Sequence, residues 1–141
     1  MVKAVNRYTS NEFHDWQRSN LPGKFVIQDL DTWPIVISDS SSDYEPVCIV
    51  ELKRSFSEPV NWRPYQQDWP NYMALHKLAL RAKIPFVTIY FKMGEAITDT
   101  SSFALFMITE VSNSGSDRIK YTRKVTSASE FKKDFPNSLF K

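Results

Sequence analysis

The sequence predicts a single α/β domain with a mixed sheet, its elements ordered αβββαβ and followed by a β-hairpin and a short helix. Three observations carry this expectation. Apolar runs of strand length occupy residues 25–31 and 46–54, both closing on charge, and a third occupies 84–91. A segment of helical periodicity separates the last two runs. No internal repeat or composition break divides the 141 residues, a length that one core can serve.

The elements follow in order. Thr9-Ser10-Asn11-Glu12 has capping-box spacing, and Phe13, Trp16 and Gln17 follow at helical intervals, so a first helix reaches about Asn20, ahead of Pro22-Gly23. Residues 25–31 form a strand, and 33–38 continue it or make a second one after Pro34. The polar stretch 39–43 is a turn or loop. Residues 46–54, apolar until their charged end, read as a strand buried on both faces. A long helix then runs to about Ala82, with Trp69, Tyr72, Met73, His76, Ala79 and Leu80 on one stripe. Pro70 leaves its start open. A start at Pro64 implies a kink, whereas a start near Gln67 puts Pro70 in the tolerant first turn. Residues 84–91 form another buried-type strand, and 103–111 with 120–125 form a hairpin about Asn113-Ser114-Gly115-Ser116-Asp117. Ser127-Ala128-Ser129-Glu130 caps a final short helix carrying Phe131 and Phe135.

Composition excludes several functions. Three glycines are too few for a Gly-rich phosphate cradle. The lone cysteine, Cys48, lies in an apolar run and reads as a buried small hydrophobe; no disulfide can form within the chain. No signal peptide or membrane-spanning run is visible, so an intracellular, reducing setting is expected: cytoplasmic, nucleoid-associated, or a host cell if viral. A net charge of +2 permits a polyanionic partner without demanding one. His14 and His76 have no metal-ligand spacing with each other or with Cys48.

The chemistry concentrates at two strand ends. Glu51-Leu52-Lys53 closes the run at 46–54, twenty residues after Asp31 in Asp29-Leu30-Asp31. Side chains alternate along a strand, so Glu51 and Lys53 share a face, roughly 6.6 Å apart at Cα, and Asp29 shares one with Asp31. Carboxylates and a lysine on sheet ends can hold a hard divalent ion and stabilise a charged transition state. The bland alternative is a solvated edge with a surface ion pair, which is worth little.

These residues, in this order of elements, resemble the PD-(D/E)xK nuclease superfamily over about residues 9–92, with 103–141 as an added hairpin and helix. The segment from Tyr65-Gln66-Gln67-Asp68-Trp69 through Arg81-Ala82-Lys83-Ile84-Pro85 is similar to that of Holliday junction resolvases and VRR-type nuclease domains. The resemblance implies a restriction-endonuclease-like core in which Asp31 (or Asp29) is the Asp and Glu51-Leu52-Lys53 the Glu-x-Lys. Gln66 or Gln67 would be the Gln at the helix head, and Glu12 the acid of the first helix. No proline precedes either Asp, a departure from the motif. The implied cofactor is Mg²⁺ or Mn²⁺, bound by Asp31 (or Asp29), Glu51 and the Leu52 carbonyl, with Glu12 a further candidate. Lys53 would act electrostatically, and Gln66 or Gln67 would position it, the water or a phosphate.

The implied function is hydrolysis of DNA phosphodiesters in recombination, repair or junction processing, on duplex, branched or single-stranded DNA. A junction resolvase would need a homodimer, for which the hairpin could supply an interface. Trp62, beside Arg54 and Arg63, is the leading base-stacking candidate in an aromatic group with Tyr65, Trp69 and Tyr72. Lys120, Arg123 and Lys124 could follow a phosphate backbone, or simply form a solvated face. Two competing readings are a non-catalytic nucleic-acid-binding or protein-interaction module, and a restriction-type or mobile-element endonuclease.

Overall fold

The computed structural model describes residues 12, 15, 16, 19, 20, 35–37 and 44–135. It shows a mixed four-stranded sheet with helices, an α+β arrangement. Glu12, Asp15, Trp16, Ser19 and Asn20 are helical and exposed, in line with the expected first helix. The expected strand at 25–31, and Asp29 and Asp31 with it, lies outside the described residues.

β1 (Ile35–Ile37) pairs antiparallel with β2 (Tyr44–Pro46) in a sheet of two strands. The expected strand 46–54 is therefore divided. Pro46 has no N–H with which to prolong the β1–β2 ladder, and the chain enters the main sheet only at β3 (Ile49–Ser55). The main sheet has the order β3-β4-β5-β6, with β4 (Phe86–Lys92), β5 (Ser102–Val111) and β6 (Ile119–Ser127). β3 and β4 are parallel; the other two pairings are antiparallel. The β5–β6 hairpin turns through Gly115, whose φ of +84° suits glycine.

The parallel pair is joined by a crossover through helix α1 (Trp69–Ala82), preceded by a 3₁₀ turn at Gln66–Asp68. Pro70 falls in the first turn of α1, where its missing N–H leaves no bond broken. The alternative of a kinked helix from Pro64 is thereby excluded. Lys83 ends the helix at a left-handed φ of 60°, its N–H directed at the Ala79 and Leu80 carbonyls. Short helix α2 (Ala128–Asp134) starts as its capping spacing predicts: the Ser127 Oγ accepts from the Glu130 N–H at 3.1 Å.

Each sheet face carries one apolar cluster. On the first face Tyr72, Leu75 and Ala79 of α1 pack with Ile49, Trp62, Phe86, Tyr90 and Phe106. On the other, Cys48, Val50, Val87, Ile89 and Leu105 meet Phe131 and Phe135 around α2. The apolar stripe of α1 thus includes Leu75 and leaves Leu80 exposed, a shift in phase from the sequence expectation. Leu75 completes the i, i+3, i+7 set with Tyr72 and Ala79 that one helical face requires. Cys48 is buried as expected, and burial pushes its thiol up to about 11, which keeps it protonated and inert.

His76 is partly buried beside this stripe, and desolvation holds its imidazole below the ordinary 6.5. The neutral ring is the form the fold accepts. As pH falls through 6.5 the unfolded chain takes up the proton first, so the associated stability is full above 6.5 and is lost as pH falls through the folded-state value. Melting temperatures measured from about pH 7 down to about pH 5 should therefore fall more steeply for wild type than for His76→Gln. Parallel curves would show that His76 titrates alike in both states.

Candidate active site

The β3–α1–β4 crossover brings the carboxyl ends of two parallel strands under the head of a helix, the place where open α/β sheets commonly bind ligands. Glu51 and Lys53 lie on the face of β3 that looks toward α1, as alternation predicts. Lys53 Nζ is 3.8 Å from Glu51 Oε1 and 3.9 Å from Asp68 Oδ2. It also sits 5.8 Å from the centre of the Tyr72 ring. The ammonium is thus flanked by two carboxylates and backed by an aromatic face, with its side chain 27% exposed.

Asp68 is a site residue that sequence reasoning missed, and Tyr72, expected on the helix stripe and in the aromatic group, joins it beside Lys53. Asp68 occupies the N-cap position of α1 but makes no side-chain cap bond. Pro70, two residues on, has no N–H to offer it, which removes one usual capping partner and leaves the carboxylate to turn toward Lys53. An acid followed by X-Pro at a helix start was the available signal. Tyr72 is fully buried one turn further on. Burial first, and then the nearby Glu51 and Asp68 carboxylates, hold the pKa of its hydroxyl well above the ordinary 10.

Thr88 is the cross-strand neighbour of Glu51 and is also fully buried. The Tyr72 and Thr88 hydroxyls neighbour one another but miss hydrogen-bond geometry, and neither has a partner among the described residues. Removing such a hydroxyl leaves no broken bond behind. Tyr72→Phe is therefore expected to change unfolding free energy by less than about 1 kcal/mol in urea titration. A loss above about 2 kcal/mol would mean that the hydroxyl is satisfied in solution.

The other expected site residues are dispersed. Gln66 is a clamp: its Oε1 accepts from the Ile119 N–H at 2.8 Å and its Nε2 donates to the Ile119 carbonyl at 3.3 Å. Both ends of the amide are therefore engaged with β6. Gln67 is exposed at the helix head and remains accessible to a ligand. Leu52 and Arg54 alternate to the opposite face of β3 and are exposed there. Glu12 is exposed on its helical segment. Among the described residues, no three His, Cys, Asp or Glu side chains converge as a metal-holding group. The expected metal ligands would need Asp31 or Asp29, which fall outside that set.

The nucleic-acid candidates are redistributed as well. Trp62 is only 5% exposed, stacked on Tyr90 at 4.5 Å and edge-on to Phe106 at 5.4 Å. It is a core residue and no base can reach its face, which corrects the expectation drawn from its arginine neighbours. Lys120 pairs with Glu110 and Lys124 with Asp134, each at 3.5 Å. Arg123 donates to the Pro59 and Val60 carbonyls at 3.1 and 2.7 Å, securing the segment after β3. Arg123 is thus used within the fold, whereas Lys120 and Lys124 each have a carboxylate beside them.

A cavity of about 480 Å³ opens between the segment after β3, the end of β4 and the loop leading to β5, lined in part by Glu58, Lys92, Glu95, Thr98 and Ser101. Its one lysine is neutralised by Glu58 at 2.6 Å and Glu95 at 3.4 Å, so it offers no anion site. No family model, curated protein or solved structure matches the chain.

Proposed function

We propose that this chain is a metal-dependent nuclease with a PD-(D/E)xK-type centre, hydrolysing DNA phosphodiesters by structure more than by sequence. The observation that supports it is the meeting of Glu51 and Lys53 on one face of β3, under the head of α1 and beside a parallel strand. The order β3–α1–β4 supports reading this unit as the second half of a restriction-endonuclease-like core; the strand that would carry Asp29 and Asp31 lies outside the described residues. Glu51, the Leu52 carbonyl and Asp31 (or Asp29) would hold Mg²⁺ or Mn²⁺. A bound ion of this type polarises a phosphate and lowers the pKa of a coordinated water.

The chain's own residues supply the rest. Lys53 places a positive charge where the phosphoryl oxygens gain negative charge in the transition state. Asp68 and Glu51 hold that ammonium between them, and the Tyr72 ring backs it. Gln67, at the exposed helix head, is the better placed of the two glutamines to touch substrate.

A second reading, a nucleic-acid-binding module without turnover, draws on the exposed guanidinium groups of Arg54 and Arg63. The deciding experiment is cleavage of labelled single-stranded, duplex, flap and four-way-junction DNA with Mg²⁺, Mn²⁺ or EDTA. Cutting that EDTA abolishes supports the nuclease. Binding without cutting on every substrate and metal moves the assignment to the module.

A further inference from the structure

The segments that follow β3 and precede α1 carry two large aromatic rings turned to solvent, Phe56 at 71% and Tyr65 at 54% exposure. Both are anchored. Tyr65 stands edge-on to the buried Trp62, ring centres 6.1 Å apart, and Trp62 is fixed in turn by its stack on Tyr90. The Tyr65 carbonyl accepts from the N–H of Asp68, the residue that meets Lys53. Tyr65 therefore heads the same turn that builds the candidate site. Phe56 follows β3 directly, three residues after Lys53, and lies over Gly94. A Cβ on Gly94 would approach Phe56 Cε1 to 3.2 Å, and the φ of +91° at Gly94 suits glycine besides.

Between the two rings the chain is tied down. The Ser57 carbonyl accepts from the Tyr90 hydroxyl at 2.6 Å, and Ser55 Oγ shares a hydrogen bond with that hydroxyl at 2.7 Å. The backbone that carries Phe56 is thus fixed, which lowers the ordering cost of a ligand stacked there.

Charge indicates what the rings receive. Arg63 is exposed and fixed, its Nη1 donating to the Val60 and Trp62 carbonyls at 3.1 and 2.8 Å, and Arg54 is exposed on the other face of β3. Neither guanidinium forms an ion pair with a carboxylate among the described residues. Lys92, Lys120, Lys124, Lys132 and Lys133 are all paired. Guanidinium charges that no carboxylate offsets, carried by residues close in the chain to open aromatic faces, suit a chain of phosphates carrying unpaired bases. A duplex hides its base faces in the stack and could use only the charges.

We infer that Tyr65 and Phe56 are stacking platforms that select DNA with an unpaired segment and lead it past Lys53. This deepens the nuclease reading and rests on it for the substrate class. The test is fluorescence anisotropy in EDTA, with a labelled oligothymidine and a duplex of about 12 nucleotides. Wild type is compared with Tyr65→Ala, Phe56→Ala, Tyr65→Phe and Lys53→Met, after melting curves confirm each fold.

Each alanine variant is expected to weaken oligothymidine binding about tenfold, with duplex affinity unchanged and Tyr65→Phe close to wild type. Equal losses on both probes, no loss on either, or no oligothymidine binding by wild type would overturn the inference. Cleavage with Mg²⁺ separates it from the nuclease reading. Aromatic-dependent binding without any cutting keeps the platforms and removes the nuclease, whereas cutting without aromatic dependence does the reverse.

Discussion

Lys53→Met is expected to lower the metal-dependent cleavage rate by about 10²–10³ while leaving the protein folded. Lys53 Nζ lies at 3.8 and 3.9 Å from its two carboxylates, with its side chain 27% exposed. Such loose, solvated pairs contribute only about 0–1 kcal/mol to stability. Its effect on a developing phosphoryl charge is larger, because a positioned cation needs no reorganisation as the charge appears. Lys53→Arg should recover only part of the rate, since a planar guanidinium does not place its charge where a compact ammonium does. The measurement is the initial rate on the preferred substrate at saturating Mg²⁺, with circular dichroism as the control for folding. A Lys53→Met protein that cuts as fast as wild type would remove Lys53 from the mechanism.

Trp62→Ala carries the largest expected effect on stability, a loss of about 3–5 kcal/mol. The indole lies parallel to the Tyr90 ring within 7° at 4.5 Å, meets Phe106 edge-on, and belongs to the core under α1. Its removal opens a cavity that three neighbouring aromatic rings cannot readily collapse into. A domain of this size is stable by about 5–15 kcal/mol in total. The alanine variant should therefore unfold at markedly lower urea, and Trp62→Phe, which keeps a ring in the stack, should lose less. A Trp62→Ala protein with wild-type stability but weakened DNA binding would return the residue to the surface role that its neighbours Arg54 and Arg63 suggest.

Much of the architecture was legible because it is local. Ser127 and Glu130 stand at capping distance along the chain, and they make the expected bond. Pro70 restricts where α1 can begin, and the helix begins there. The hairpin of β5 and β6 follows from two strand-like runs about a polar turn with glycine. The phase of α1 was harder to read. Its face mixes Leu75 with exposed Leu78 and Leu80, so hydrophobic residues occur on more than one side.

The candidate site divides along the same line. The sequence by itself determined that Glu51 and Lys53 share a face, because strand side chains alternate with a period of two and the pair is two residues apart. It also placed Cys48 in the interior, through an unbroken apolar run. Only the tertiary structure decided that Asp68 and Tyr72 join Lys53, that Gln66 turns away to grip Ile119, and that Trp62 is core while Tyr65 and Phe56 stay in solvent. Gln66 and Ile119 are 53 residues apart in the chain. Contacts at that separation are set by how the crossover seats α1 on the sheet, and no local periodicity encodes which of several nearby aromatic rings that seating covers.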